Sequence, residues 1–146
     1  MRIEKAAVSD AAALAPLMAQ LAGRPAHEDK IAATLEAIVR DPAYHLLVAR
    51  ENGRVIGTMM GIVCYDITEQ CQPFMVVENV VTDASARGQG VAKALMDEIE
   101  RIARAQRCTV LMLCSGAERT GAHAFYRRLG FSDTVTRGFK KGLRSE

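Results

Sequence analysis

Between Phe74 and Met96 the chain reads as a strand, a glycine turn and an amphipathic helix in unbroken succession, and this unit constrains what the rest can fold into. Phe74 to Thr82 is rich in valine and reads as a strong strand, with one glutamate, Glu78, among apolar neighbours. Arg87 to Gly90 is a turn. The helix after it sets Val91, Leu95, Ile99 and Ile102 on one apolar face and pairs Glu100 with Arg104 on another, so it packs on a sheet. Glycines at the start of a helix leave backbone N–H groups uncovered, and the unpaired amides and positive dipole end attract anions. Arg87, Gly88, Gln89, Gly90, Val91 and Ala92 therefore form a candidate pyrophosphate site, although spacing alone fits equally well a glycine turn that only starts a helix.

The flanking segments supply the remaining layers. Met1 to Ala7 reads as a first strand, after which Ser9 or Asp10 caps a helix whose Leu14, Leu17, Met18 and Leu21 follow i, i+3, i+4, i+7, with a kink expected at Pro16. Gly23-Arg24-Pro25 breaks the chain. A second helix carries Ile31, Leu35, Ile38 and Val39 and stops at Asp41-Pro42. His45 to Arg50 and Val55 to Tyr65 are strands joined through Asn52-Gly53, the pairing that supplies the positive φ angles of a tight hairpin. Asp66 to Pro73 is a polar loop, Thr109 to Cys114 a fifth strand, and Thr120 to Leu129 a short helix closed by Gly130. Phe131 to Leu143 is expected to add the remaining strand or strands. No repeat or linker divides the 146 residues, so one domain is expected.

Composition removes several classes. With 19 basic against 17 acidic residues, bulk charge does not drive binding to nucleic acid. Cys64, Cys71, Cys108 and Cys114 form no C-x-x-C pair, and His27, His45 and His123 are not spaced as a metal pair; a reduced, cytoplasmic, metal-free protein is the simplest reading. The alanine-rich Ala11 to Ala22 lacks the order of a signal peptide, and no apolar stretch approaches the roughly 20 residues that cross a bilayer. Neither G-x-x-x-x-G-K-[ST] nor a full G-x-G-x-x-G occurs, which excludes the two commonest phosphate loops.

Val77 to Met96 instead resembles, without a gap, the strand, loop and helix of the GNAT acetyltransferase superfamily, whose loop pattern [QR]-x-x-G-x-[GA] is filled by Arg87, Gly90 and Ala92. Downstream, A-F-Y-R-R-L-G-F from Ala124 to Phe131 is similar to that family's F-Y-x-x-x-G-F signature, at the expected separation. The resemblance covers nearly the whole chain and is weakest from Ser132 onward. It implies an α/β fold, in which helices flank a mixed, mostly antiparallel sheet whose middle strands splay to admit acetyl-CoA. It further implies that the backbone of Val80, Val81 and Thr82 pairs with the pantetheine arm while the Arg87 to Ala92 amides hold the pyrophosphate. Many relatives carry Asn where Arg119 stands, which puts that contact to the cofactor arm in doubt. A homodimer is common among relatives, though no feature of this sequence requires one.

Two side chains are candidates for the chemistry. Glu78, sharing a strand face with Phe74, Val76 and Val80, is the candidate base, since desolvation by apolar neighbours makes a carboxylate more basic; pairing with an Arg or facing solvent is its structural alternative. Its E-N-V-V context resembles the E-D-V-V of the family's amino-sugar-phosphate branch. Tyr126 is the candidate acid for the departing CoA thiolate, with simple packing as its alternative. His123 has no assigned duty. Asp66, Glu69 and Glu78 fit a polyamine or basic peptide acceptor, whereas Arg24 and His27 fit a phosphate or carboxylate, and the sequence does not choose between them. Arg137, Lys140, Lys141 and Arg144 form a basic tail, either solvated or neutralising the cofactor's 3′-phosphate. The reading is an acetyl-CoA-dependent N-acetyltransferase acting directly on a primary amine in a ternary complex. Its rivals are a non-catalytic acyl-CoA sensor or regulatory subunit, which would be free to lose Glu78 and Tyr126, and an interaction module that does not bind CoA.

Overall fold

In the computed structural model, which describes residues 1–144, Asn52 and Gly53 both take left-handed backbone angles, φ 49° and 78°. That is the primed turn a two-residue hairpin requires, and it joins β2 (Tyr44–Glu51) to β3 (Arg54–Cys64). The described residues fall into two compact units, Met1–Met112 and a second that begins at Leu113.

The first unit is built on a sheet of order β1-β2-β3-β4-β5, with β1 at Arg2–Lys5, β4 at Phe74–Thr82 and β5 at Leu111–Met112. The first four strands pair antiparallel and β5 runs parallel to β4, so the sheet is mixed and mostly antiparallel. Pairing of β5 is confined to Met75 with Leu111 and Val76 with Met112, much shorter than the expected Thr109 to Cys114. The described ladder between β4 and β5 thus ends at Val76.

Helix α3 (Val91–Ala105) covers one face, burying Val91, Leu95, Met96, Ile99 and Ile102 as its periodicity requires. Two glycines of β3 set how closely it approaches. A Cβ on Gly57 would lie 2.7 Å from Val91 Cγ1 and 3.2 Å from Val81 O, and one on Gly61 would lie 2.7 Å from Met75 Sδ and 3.0 Å from Ile99 Cδ1. The opposite face is covered by α1 (Ala11–Ala22) and α2 (Glu28–Arg40), where Leu14, Leu17 and Leu35 join Val48, Val55 and Val81 in one cluster. Val39, expected on the apolar side of α2, is 48% exposed and belongs to its outer face.

The start of α1 differs from the capping expected at Ser9 or Asp10. Val8–Asp10 forms a 3-10 turn, and the buried Asp10 carboxylate accepts the Ala7 N–H at 2.9 Å and a bond from Arg50 Nη2 at 2.8 Å instead of capping α1. Arg50 also donates to Glu4, and these bonds, that to Asp10 foremost, hold its guanidinium further toward the charged form than usual. Helix α1 runs through Pro16 and ends at Gly23, φ 66°. All four cysteines are free thiols. Among the described residues, no helix is long and apolar enough to cross a membrane.

In the second unit, α4 (Thr120–Arg128) ends in a Schellman motif. Gly130, φ 91°, donates its N–H to Arg127 O at 3.0 Å, and Phe131 donates to Tyr126 O at 3.1 Å. The Phe131 ring meets Tyr126 edge-on at 5.8 Å, the apolar contact that accompanies such a cap. The F-Y-x-x-x-G-F pattern is thus the chemistry of a helix end. The strand or strands expected from Phe131 to Leu143 are absent from the described residues. Gly138 and Gly142 weaken any strand there and no described residue of this unit offers a ladder, leaving Val135, Phe139 and Leu143 78%, 93% and 89% exposed.

The seat of α3 on β3 yields a direct expectation. Gly57→Val should lower unfolding free energy by about 1–3 kcal/mol, because neither the β-branched Val91 nor the Val81 carbonyl can move aside freely. Urea unfolding monitored by circular dichroism measures it, and an unchanged midpoint would mean that α3 shifts at no cost.

Candidate functional site

Strand β4 carries one more residue than its partner allows. Met60 stands opposite Glu78 and Thr58 opposite Val81, so Asn79 and Val80 together oppose Met59. Asn79 absorbs the extra residue in the left-handed region, φ 55°, which asparagine tolerates better than a β-branched neighbour. Before this bulge Met75 and Val77 are buried; after it Val81 enters the cluster with Leu14 and Leu17 under α1 and α2. The expected shared face of Phe74, Val76, Glu78 and Val80 is therefore broken at Asn79. Glu78 is exposed, lying beside its cross-strand partner Met60 on the face of α1 and α2, so the apolar enclosure expected from its neighbours is not present.

Among the described residues β4 has no strand on its β5 side beyond Val76, and Val77 to Thr82 forms a free edge that includes Val80, Val81 and Thr82. The chain then turns through a 3-10 segment at Ala84–Ala86 that is tied from three directions. Asp83 Oδ1 accepts from the backbone and hydroxyl of Ser85, Arg54 Nη2 donates to Asp83 Oδ2 at 2.9 Å, and Gln20 Oε1 accepts the Ala84 N–H at 3.2 Å. The Ser85 bonds first, with Arg54 adding to them, hold the Asp83 carboxyl below the usual carboxylate range. This clamp was missed in the sequence, although Asp-x-Ser after a strand is a recognisable signal for such a turn.

The turn delivers the chain to the α3 N-terminus. Gly88 and Gly90 have φ 76° and 78°, and Gly90 caps the helix without a side chain. Among the described residues no backbone or side-chain acceptor takes the N–H groups from Arg87 to Lys93, while the Ala94 N–H closes on Gly90 O at 3.0 Å. No acidic residue lies in the first turn, and Lys93 pairs with Asp97 at 2.7 Å. A row of free amides thus follows directly after a free strand edge, an arrangement suited to an extended ligand that ends in an anion.

The sheet face that bears Glu78 also floors a cavity of about 320 Å³. Helices α1 and α2 wall it, Leu46, Thr58 and Met60 floor it, Asn79 touches it at the bulge, and Arg24, His27 and Lys30 lie on its rim. Asp66 and Glu69 are not part of it. Asp66 accepts from the Thr68 N–H and hydroxyl, both at 3.0 Å, which lower its carboxyl from the ordinary range. A second cavity of about 230 Å³ lies between β1, β2 and α3 and is lined in part by His45, whose Nε2 is buried with no hydrogen-bond partner among the described residues. Burial first, then the Lys5 charge, lowers the pKa of His45.

The structure therefore brings Glu78, Val80, Val81, Thr82 and Arg87 to Ala92 together in the first unit, while Tyr126 belongs to the second. There Tyr126 is buried, and burial pushes its phenol up from the ordinary value against a smaller opposing effect of Arg119. His123 Nε2 lies 2.8 Å from Gly116 O, a bond that braces the loop before α4. Arg137, Lys140, Lys141 and Arg144 are exposed. No group of three or more His, Cys, Asp or Glu able to hold a metal occurs among the described residues.

The sequence profile of the Acetyltransferase (GNAT) family matches residues 13–131. The chain is 30% identical over 132 residues to N-acetyltransferase 8 of Rattus norvegicus, covering 83% of the chain and 57% of the rat protein. It is 29% identical over 122 residues to glucosamine 6-phosphate N-acetyltransferase 1 of Oryza sativa subsp. japonica, covering 82% and 70%. It thus spans little more than half the length of the rat relative. A solved structure from Agrobacterium tumefaciens str. C58, provisionally named an acetyltransferase, superposes with a TM-score of 0.90 at 26% identity, covering 98% of this chain and all of that one. With the strand edge, the glycine turn and the helix terminus inside the matched residues, the chain belongs to the GNAT family of acetyltransferases.

Proposed function

We propose that this chain is an N-acetyltransferase that moves the acetyl group of acetyl-CoA to a primary amine by direct attack in a ternary complex. The observation that carries this reading is the free edge of β4 running into the free amides of Arg87 to Ala92. On it, the backbone of Val80, Val81 and Thr82 pairs with the pantetheine arm, and the amides hold the pyrophosphate. The neutral amine attacks the thioester carbonyl, the new C–N bond forms as the C–S bond breaks, the amine gives up a proton and the thiolate gains one. Cytoplasmic location belongs to this reading.

Glu78 is the base, taking the amine's proton directly or through water. An amine resembling lysine loses about 4–5 kcal/mol to reach its neutral form at pH 7, given its ordinary pKa of about 10.4, so a base is of value. Because Glu78 is exposed, its usefulness rests on position beside the bulge and the cavity. Tyr126 is the acid. A phenol is protonated at neutral pH, the form needed to donate to sulfur, and burial pushes the Tyr126 phenol further that way.

Three measurements test these roles. Gly90→Val forces a β-branched residue to φ 78° at the head of the amide row and should weaken acetyl-CoA binding more than tenfold by calorimetry, with a thermal melt showing that the fold survives. Unchanged affinity in a folded variant would remove the pyrophosphate site. Glu78→Gln should cut turnover at neutral pH and recover in part at alkaline pH as more amine is neutral without help. Superimposed pH profiles of the two proteins under saturating acetyl-CoA would make Glu78 structural. Tyr126→Phe keeps the ring and its contact with Phe131, so acetyl-CoA affinity should hold while single-turnover rate falls about 10²–10⁴-fold, if thiolate departure limits it. A wild-type single-turnover rate would end the acid assignment.

A further inference from the structure

The cavity under α1 and α2 has two chemical zones, and together they describe what fills it. Its interior is mainly apolar, with Leu14, Leu35, Leu46 and Met60 among its walls. Two hydroxyls line it, but both spend their protons on backbone: Thr58 Oγ1 donates to Leu47 O at 2.7 Å and Thr34 Oγ1 to Lys30 O at 2.8 Å. A polyhydroxylated occupant would find few donors left there, and each hydroxyl it buried without a partner would weaken binding. The rim has one sign of charge. Arg24, His27 and Lys30 line the cavity, none of its lining residues is acidic, and neither Arg24 nor Lys30 has an ion-pair partner among the described residues. A polycation is repelled by such a rim, and an anion is attracted.

The cavity also reaches the reaction site assigned above. Asn79, the bulged residue within the β4 free edge, is part of its lining, and Glu78 precedes it in the strand, on the sheet face that floors the cavity. A molecule held there presents its reactive end close to the strand edge assigned to the acetyl donor.

We propose, resting on the acetyl-transfer reading, that the acceptor is a small amphiphilic amino acid in the broad sense: a primary amine on an apolar chain or ring that fills the cavity, carrying one anionic group that meets Arg24, His27 and Lys30. The structure disfavours a polyamine through its rim and an amino sugar through its interior. The Arg24 and Lys30 cations attract a phosphate and a carboxylate alike, so the body that bears the anion makes the distinction.

Four probes separate these terms: 8-aminooctanoate, octylamine, which lacks the anion, glucosamine 6-phosphate, which has an anion on a polar body, and spermidine, which inverts the charge. Thiol release under saturating acetyl-CoA gives kcat/KM for each, and calorimetry with CoA present gives binding. 8-Aminooctanoate should exceed octylamine by about tenfold and also exceed the other two, and the double variant R24A/K30A should lower its kcat/KM about tenfold with acetyl-CoA affinity unchanged. Preference for octylamine, spermidine or glucosamine 6-phosphate overturns the proposal. So does a double variant without effect, or failure of 8-aminooctanoate to bind a chain that binds acetyl-CoA. A wild-type chain that does not bind acetyl-CoA removes the acetyl-transfer reading, and the proposal with it, which separates the two failures.

Discussion

The left-handed Asn79 is the constraint from which the site follows. A strand that inserts one residue against its partner must bend and exchange its faces, and β4 does both between Met60 and Thr58. Before the bulge, its odd-numbered side chains support α3; after it, Val81 closes the core under α1 and α2. Ladder pairing to β5 stops at Val76, three residues earlier, so the bulged stretch has β3 on one side and, among the described residues, no strand on the other. Unpaired strand edges carry an association risk in water, and a short edge that leads straight into a helix terminus is one that a ligand can complete.

The second element that must be held still is the helix terminus itself. Amides bind an anion only if they point together, and three independent ties orient them: the Asp83 clamp to Ser85 and Arg54, the Gln20 contact from α1, and the seating of Val91 on Gly57. The glycines of the turn and those of the strand serve different purposes. Gly88 and Gly90 have open space where a Cβ would stand and are needed for their positive φ, whereas Gly57 is needed because a Cβ would meet Val91. Two physical demands, one conformational and one steric, thus fall on the same residue type within one functional unit.

Where local chemistry decides the conformation, the sequence was legible. Asn52-Gly53 admits few backbone solutions, the bounds of β4 were read correctly, and the buried residues of α3 follow its periodicity. Where the outcome depends on what lies across a ladder, it was not. Thr109 to Cys114 has strand character along its whole length, but only Leu111 and Met112 find β4 beside them. Phe131 to Leu143 is expected to add a strand or strands, and no described residue of its own unit pairs with it. Glu78 was singled out for its apolar neighbours, yet the bulge one residue later leaves it exposed; the one available signal was an asparagine among valines, a residue that enters the left-handed region more readily than they do. Asp10 stands at the N-cap position of α1, but its carboxylate turns back to the Ala7 N–H and to Arg50, which is far along the chain.

Donor and acceptor recognition are written in different parts of the chain's chemistry, which explains why the family was readable from sequence and the acceptor was not. The proposed donor site consists of backbone: a strand edge and a row of amides whose only sequence requirement is residues that permit the conformation. That requirement is narrow, so it leaves a short, recognisable signature at Arg87, Gly90 and Ala92. The cavity wall is the reverse case. Leu14, Met18, Ile38 and Leu46 line it as ordinary members of amphipathic helices and strands, and each would be placed there by core packing even if the cavity held nothing. Only the rim departs from what packing demands, because Arg24, His27 and Lys30 gain nothing from the core. In a fold that serves many acceptors, residues that line a cavity without supporting the fold are free to vary with the substrate, and the proposed acceptor rests on the sign of charge that Arg24 and Lys30 bring there.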